Sequence, residues 1–256
     1  MFQFLEFWGH KISMFSVFIG LGILASAFFI FNQLKQMHVS AGRENQVMPA
    51  IPLTFVFGVA GGYVADVLFR GGIDALFSNP WKYGLTFYGW LIGGMFFLWF
   101  YSKLCSLQYD YLLNLFLPSF ALAQALGRIG CFLGGCCYGR PTKIWGVSYP
   151  SGSVPYIHHG ATPLVPVQLY ESAYLFLVFI ILSGLIRFKH RGAWYLILVP
   201  AGRFLLEFLR DDERGFFLSN LLSPSQWISL ILGIAGIGWL RKIKSKEREL
   251  CLKKTM

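Results

Sequence analysis

Residues 127–140 read GRIGCFLGGCCYGR, which sets Arg128 between Gly127 and Gly130 with Gly134, Gly135 and Gly139 downstream. Glycines let a main chain turn tightly or come close to a ligand. A guanidinium beside bare backbone N–H groups suits a phosphate oxyanion, which it grips through paired hydrogen bonds. Helix packing through small residues accounts for the glycines equally well, but not for the arginine. A second set of charges lies in GRFLLEFLRDDERG, where Arg203 and Glu207 are four residues apart and share one helix face. Self-neutralisation is the plain reading of that pair, yet Arg210 and Arg214 extend the polar side further than one such pair needs. Asp66 and Glu171 are two more charges in apolar surroundings. In LTFYGWLIGG, Gly89, Gly93 and Gly94 have helix-interface spacing, and Tyr88 is either an interfacial belt residue or a phenol turned toward a polar cavity.

The elements that must position these residues are membrane spans. Of 256 residues, 55% are hydrophobic and 13% charged, against about 25% charged in a soluble domain. Several apolar runs reach the roughly 20 residues that cross a hydrocarbon core. Seven candidate spans fall at about 12–31, 50–69, 84–102, 112–127, 168–187, 193–210 and 226–240. An ionised group inside such a span costs at least about 2.5–3.5 kcal/mol, so one that persists faces a bundle interior, a cavity or a partner. The expected fold is therefore an all-α integral membrane protein, about seven helices around an outward-facing polar cavity, forming a single polytopic domain over 1–256.

The net charge of +10 does not point to nucleic acid, because Lys and Arg gather in alternate connections instead of forming an aromatic-interleaved face. RFKHRG at 187–192 and the basic tail at 241–256 are the densest clusters, and the positive-inside rule puts both in the cytoplasm. Seven spans then leave the N-terminus outside, together with the long connection 128–167. Ala25-Ser26-Ala27 resembles a signal-peptidase site, but FFIF continues the apolar run beyond it, so the first span reads as an anchor helix. Cys131, Cys136 and Cys137 form C-x4-C-C, which matches none of the usual zinc spacings. Small packing residues are the plain reading, and a disulfide is open to them in an oxidising compartment. Cys105 and Cys251 fall on the cytoplasmic side and look incidental.

With these residues assembled, nearly the whole chain resembles the bacterial prolipoprotein diacylglyceryl transferases. GRIGCFLGGCCYGR is similar to that family's G-R-x-G-N-F-x-N-G-x-x-x-G, and LTFYGWLIGG to its S-F-H-G-G-x-x-G. PVQLYES at 166–172 is similar to P-x-Q-L-Y-E, and RFLLEFLR at 203–210 to R-F-x-x-E-F-x-R. The resemblance implies a seven-span enzyme of the bacterial cytoplasmic membrane with no cofactor and no metal. Its partners would be phosphatidylglycerol, other membrane lipid and the signal segment of a preprolipoprotein. The reaction would move the diacylglyceryl group of phosphatidylglycerol to the lipobox cysteine thiol, forming a thioether and releasing glycerol phosphate. Arg128, Arg203, Glu207 and Tyr88 would then be the catalytic residues. Arg128, Gly139, Gly89, Gln168, Tyr170, Glu171 and Arg210 would bind substrate.

The phosphate-binding half of the pattern is kept and the proton-handling half is altered. Tyr88 stands where the family has a histidine credited as base, Cys131 replaces the signature asparagine, and Phe15, Val165 and Val199 replace two tyrosines and a histidine. A phenol with an ordinary pKa of about 10 is a poor base unless a nearby cation lowers it. The acceptor thiol, ordinarily near 8.5, could instead ionise unaided in an electropositive cavity. Three alternatives stay open: a diverged paralogue with another acceptor or none, a non-enzymatic anion or small-molecule transporter, and a thiol-redox protein using the three clustered cysteines.

Overall fold

The computed structural model describes residues 4–7, 10–70, 84–211 and 222–255. A short antiparallel hairpin, β1 (Phe4–Phe7) and β2 (His10–Ser13), pairs Phe4 with Ser13 and Phe7 with His10. Helices follow: α1 (Met14–Gln36), α2 (Ala41–Val47), α3 (Ala50–Arg70), α4 (Phe87–Leu104) and α5 (Tyr109–Gly134). Then come α6 (Val154–His159), α7 (Val167–Ile180), α8 (Arg191–Glu207) and α9 (Pro224–Thr255). A π-helical turn, Ile181–Leu185, prolongs α7.

Helices are the economical answer to such apolar runs, because every interior N–H and C=O is paired within the segment where lipid offers no partner. Met14–Gln36, Ala41–Leu68, Tyr109–Gly134 and Val167–Leu185 are long and apolar enough to cross a membrane. α4, α8 and α9 fall outside that set: α4 mixes Trp, Tyr and Gly into its apolar run, α8 is 17 residues long and carries Arg203 and Glu207, and α9 runs into the basic tail. The result is a helical, multi-pass membrane protein. Large apolar side chains coat its outside, among them Leu24, Phe28, Phe96, Ile180, Leu205 and Ile234. Ile30, Leu34, Leu98, Leu112, Leu175 and Tyr195 fill its core.

α1 packs on α5, α3 on α4, and α9 on α8, while α5 also carries α7 and α8. Few hydroxyls are wasted in this apolar setting. Ser26 Oγ donates to the Ser119 carbonyl across α1 and α5 at 2.7 Å, and Ser172 Oγ to the Ala125 carbonyl across α7 and α5 at 2.8 Å. At the start of α8, buried Arg191 donates to the Gln33 side chain and to the carbonyls of Ser183 and Ile186 at 2.7, 2.7 and 3.3 Å. Lys189 forms an ion pair with Glu247, tying that same end to the helical tail.

At the other end, backbone pairing draws three elements together. Gly139 N–H donates to the Val165 carbonyl, and Arg140 N–H to that of Leu209, each at 3.0 Å. The ends of α5 and α8 and the start of α7 therefore meet in one place. α5 extends well past its expected limit near 127, so Arg128 lies inside the last two turns of a helix and not in a loop.

Candidate active site

Where those three helix ends meet, buried charges form one cluster. Glu171, on the first turns of α7, is 2% exposed and lies between guanidiniums on both sides. Its Oε1 is 3.0 Å from Arg128 Nε, and its Oε2 is 2.9 Å from Arg203 Nη1 and 3.7 Å from Arg210 Nη1. Arg203 also reaches Glu207, Nη2 to Oε2 at 3.4 Å across one helical turn. Glu207 Oε1 accepts hydrogen bonds from Ser223 Oγ at 3.0 Å and Ser225 Oγ at 2.6 Å. Taking such charges out of water is costly unless each is paired, and sharing two carboxylates among three guanidiniums achieves that. Among the described residues the balance still leaves one positive charge in excess.

Arg128 is held by its Nε. Its terminal Nη1 and Nη2 have no partner among the described residues, so one edge of the guanidinium is pinned while the other keeps its donors. That is the arrangement a bidentate hold on an incoming oxyanion requires.

Tyr88 is placed differently. Ser229 Oγ gives its proton to the Ser225 carbonyl at 2.7 Å, so the Tyr88 hydroxyl, 2.5 Å from Ser229 Oγ, is the donor of that bond. Buried at 4% exposure, it hydrogen-bonds α9 while Arg203, Glu171 and Glu207 lie close enough to act on it electrostatically. A hydroxyl donating to serine is not arranged as a base.

The remaining expected residues divide. Gln168 is fully buried and donates its Nε2 hydrogens to the Cys136 carbonyl at 2.7 Å and to Tyr149 Oη at 3.1 Å, so it clamps the loop after α5. Tyr170 is 42% exposed on the outside of α7. Gly89 is a close-packing position, where a Cβ would fall 2.5 Å from the Gly61 carbonyl of α3. Gly139 plays the same part between the segments that follow α8 and precede α7: a Cβ there would meet the Leu209 carbonyl at 2.6 Å and that of Val165 at 2.8 Å. Asp66 accepts from Gly84 N–H at 2.7 Å and serves the join between α3 and α4. Arg214 lies outside the described residues.

Two features were not anticipated from the sequence. Ser225 and Ser229 bridge Glu207 and Tyr88; their four-residue spacing on α9 is the signal that could have found them. The three cysteines of C-x4-C-C come together, every Sγ within 4.8 Å of the others. Cys137 Sγ, just past the end of α5, is held well below the usual thiol range by hydrogen bonds from Cys131 and Cys136, with Arg210 and Arg128 adding to the effect.

An apolar cavity separates α1, α3, α4 and α5, lined by residues that include Ile19, Ile23, Trp90, Met95, Phe116 and Leu117. It does not include the arginine cluster.

The pattern recurs in known proteins. A family model described as prolipoprotein diacylglyceryl transferase matches residues 3–241. Phosphatidylglycerol-prolipoprotein diacylglyceryl transferase 2 of Clostridium perfringens is 34% identical, over 91% of this chain and 91% of its own length. The phosphatidylglycerol-prolipoprotein diacylglyceryl transferase of Clostridium tetani is also 34% identical, covering 91% of this chain and 93% of its own. That of Aromatoleum aromaticum is 29% identical over 86% and 88% respectively.

Proposed function

The chain belongs to the prolipoprotein diacylglyceryl transferase family, and on that premise we propose how its buried charges serve the family's reaction. The protein is a transferase. It moves the diacylglyceryl group of phosphatidylglycerol to the lipobox cysteine thiol of a preprolipoprotein, forming a thioether and releasing glycerol phosphate.

In this reading the terminal donors of Arg128 hold the lipid phosphate, and that half-pinned guanidinium is the observation that carries it. The thiol sulfur attacks the glyceryl carbon; a C–S bond forms as the C–O bond to phosphate breaks, and the electron pair leaves with glycerol phosphate. Charge grows on the departing phosphate, so fixed positive charge from Arg128, Arg203 and Arg210 lowers the barrier. Glu171 and Glu207 hold the guanidiniums in place, and among the described residues their count is one short of the arginines, which leaves the site electropositive. Tyr88 contributes a hydrogen bond to α9 and no base. The acceptor thiol ionises under the positive field instead.

The topology follows the same reading. α1, α3, α4, α5, α7, α8 and α9 are the seven spans of a bacterial cytoplasmic-membrane protein, with the N-terminus outside and the basic turn 187–192 and tail 241–256 in the cytoplasm. The arginine cluster then sits near the outer leaflet, at the head of an outward-facing cavity into which lipid and signal segment enter laterally. The test is direct: purified protein is incubated with phosphatidylglycerol and a lipobox peptide, and mass spectrometry looks for the diacylglyceryl adduct. Its appearance with phosphatidylglycerol, and not with phosphatidylcholine, is the expected result. Absence of adduct from folded protein would overturn the assignment.

A further inference from the structure

The loop that leaves α5 is built around sulfur. Gly135 caps the helix in the left-handed conformation at φ 70°, and Cys136 N–H bonds back to the Cys131 carbonyl at 3.1 Å. Cys137 follows with φ 60°, a conformation that non-glycine residues adopt only at a cost. These two left-handed residues fold the chain over the last turn of α5 and deliver both thiols onto Cys131. Gln168 then fixes the Cys136 carbonyl from α7 at 2.7 Å. The outcome is three sulfur atoms, each within 4.8 Å of the other two.

Packing alone does not need that convergence. A disulfide would join two of the sulfurs at about 2.05 Å and leave the third over. A tetrahedral soft cation suits all three: zinc–sulfur bonds of about 2.3 Å space the ligands by about 3.8 Å. We propose that Cys131, Cys136 and Cys137 form a three-sulfur binding site for a soft divalent cation of the zinc class, next to the arginine cluster.

Arg128 and Cys131 are three residues apart on α5, so they share one helix face and the two sites adjoin. The linear spacing did not reveal this, since zinc patterns assume ligands presented by their own turn, whereas here a helix end and its cap supply them together.

Three protein ligands leave a tetrahedral ion one open position, the pattern of a catalytic rather than a structural zinc site. The fourth ligand of matching chemistry is a thiol. On the reading of function above, which this part of the proposal rests on, that thiol is the lipobox cysteine. Held there by Cys131, Cys136 and Cys137, such an ion would favour loss of that thiol's proton to water, and the thiolate would displace glycerol phosphate from the glyceryl carbon to give the thioether. The ion would thus add to the positive field under which that thiol ionises.

The experiment uses the full-length protein, purified in detergent under reducing conditions and titrated with Co²⁺ and Zn²⁺. One cobalt per chain, with an intense near-ultraviolet sulfur-to-cobalt charge-transfer band that zinc bleaches, is expected. Cys136→Ser should weaken zinc binding by at least about 100-fold, more than the roughly 10–100-fold that a supporting residue costs. Cys105→Ser and Cys251→Ser should change nothing. No band in folded wild-type protein, a band that survives Cys136→Ser, or thiol counting that finds two of the three oxidised in protein that binds no cobalt would each overturn the site. Thermal unfolding of Cys136→Ser confirms that the variant is folded. Measuring diacylglyceryl transfer on the same samples separates the two proposals. Cation bound without transfer keeps the site and defeats the functional reading, whereas transfer that is indifferent to zinc and to Cys136→Ser keeps the function and defeats the role of the ion.

Discussion

Two buried arginines on α8 have opposite surroundings. Arg191, at its start, donates to one side-chain amide and two main-chain carbonyls, with no carboxylate partner among the described residues. Arg203, near its end, is wedged between two carboxylates, one of which it shares with Arg128 and Arg210. Neutral oxygens fix Arg191 and consume its donors, which closes the turn between α7 and α8. Carboxylates shared among several arginines do something else: they gather the cations into one cluster. A buried arginine is therefore informative about chemistry when its counter-charge is shared.

The largest effect should come from Arg128, whose terminal donors have no partner among the described residues. Arg128→Ala is expected to lower transfer to a lipobox peptide by on the order of 10²–10³ or more, with normal yield of membrane-inserted protein; turnover within tenfold of wild type would break the comparison. Next is Glu171→Gln, which leaves three guanidiniums with one carboxylate. Breaking a buried ion pair costs about 3–5 kcal/mol, so thermal unfolding in detergent should shift down strongly and transfer should fall with it. Arg191→Met sharpens the contrast from the other end. Lost hydrogen bonds to a charged group cost about 1.5–3 kcal/mol, lowering the unfolding temperature, while transfer per folded molecule stays within about twofold. Tyr88→Phe should matter least, removing one hydrogen bond to Ser229, about 1 kcal/mol of stability, and less than about tenfold of turnover. A larger loss of rate with stability intact would give the phenol a chemical part.

The helices were legible because apolar length is a local property: each of the seven expected runs overlaps a helix, and four helical segments are long and apolar enough to cross a membrane. Their ends were less so. Nothing in GRIGCFLG marks where α5 stops, since the glycines that read as a loop are tolerated in a helix packed closely on α1, and the cap comes only at Gly135. Arg128, Glu171, Arg203, Glu207 and Arg210 stood out because a charge in an apolar run needs a reason. Which charge meets which depended on three helix ends converging, and that lies beyond any local pattern. Gln168, Gly89 and Gly139 show the converse. Their identity followed a motif, but each is engaged in holding backbone: Gln168 on Cys136, Gly89 on α3, Gly139 between Val165 and Leu209. Ser225 and Ser229 were hidden because serine is unremarkable in a membrane helix until the fold gives it partners, and the spacing of the three cysteines left their use open.

The central claim is that the shared arginine cluster, through Arg128, grips the phosphate of phosphatidylglycerol. The most direct measurement is native mass spectrometry of phosphatidylglycerol retained by wild type, Arg128→Ala and Arg191→Met, released from identical micelles. Retention by wild type and Arg191→Met, with loss from Arg128→Ala, is the predicted result. Equal retention by Arg128→Ala and wild type would contradict the account.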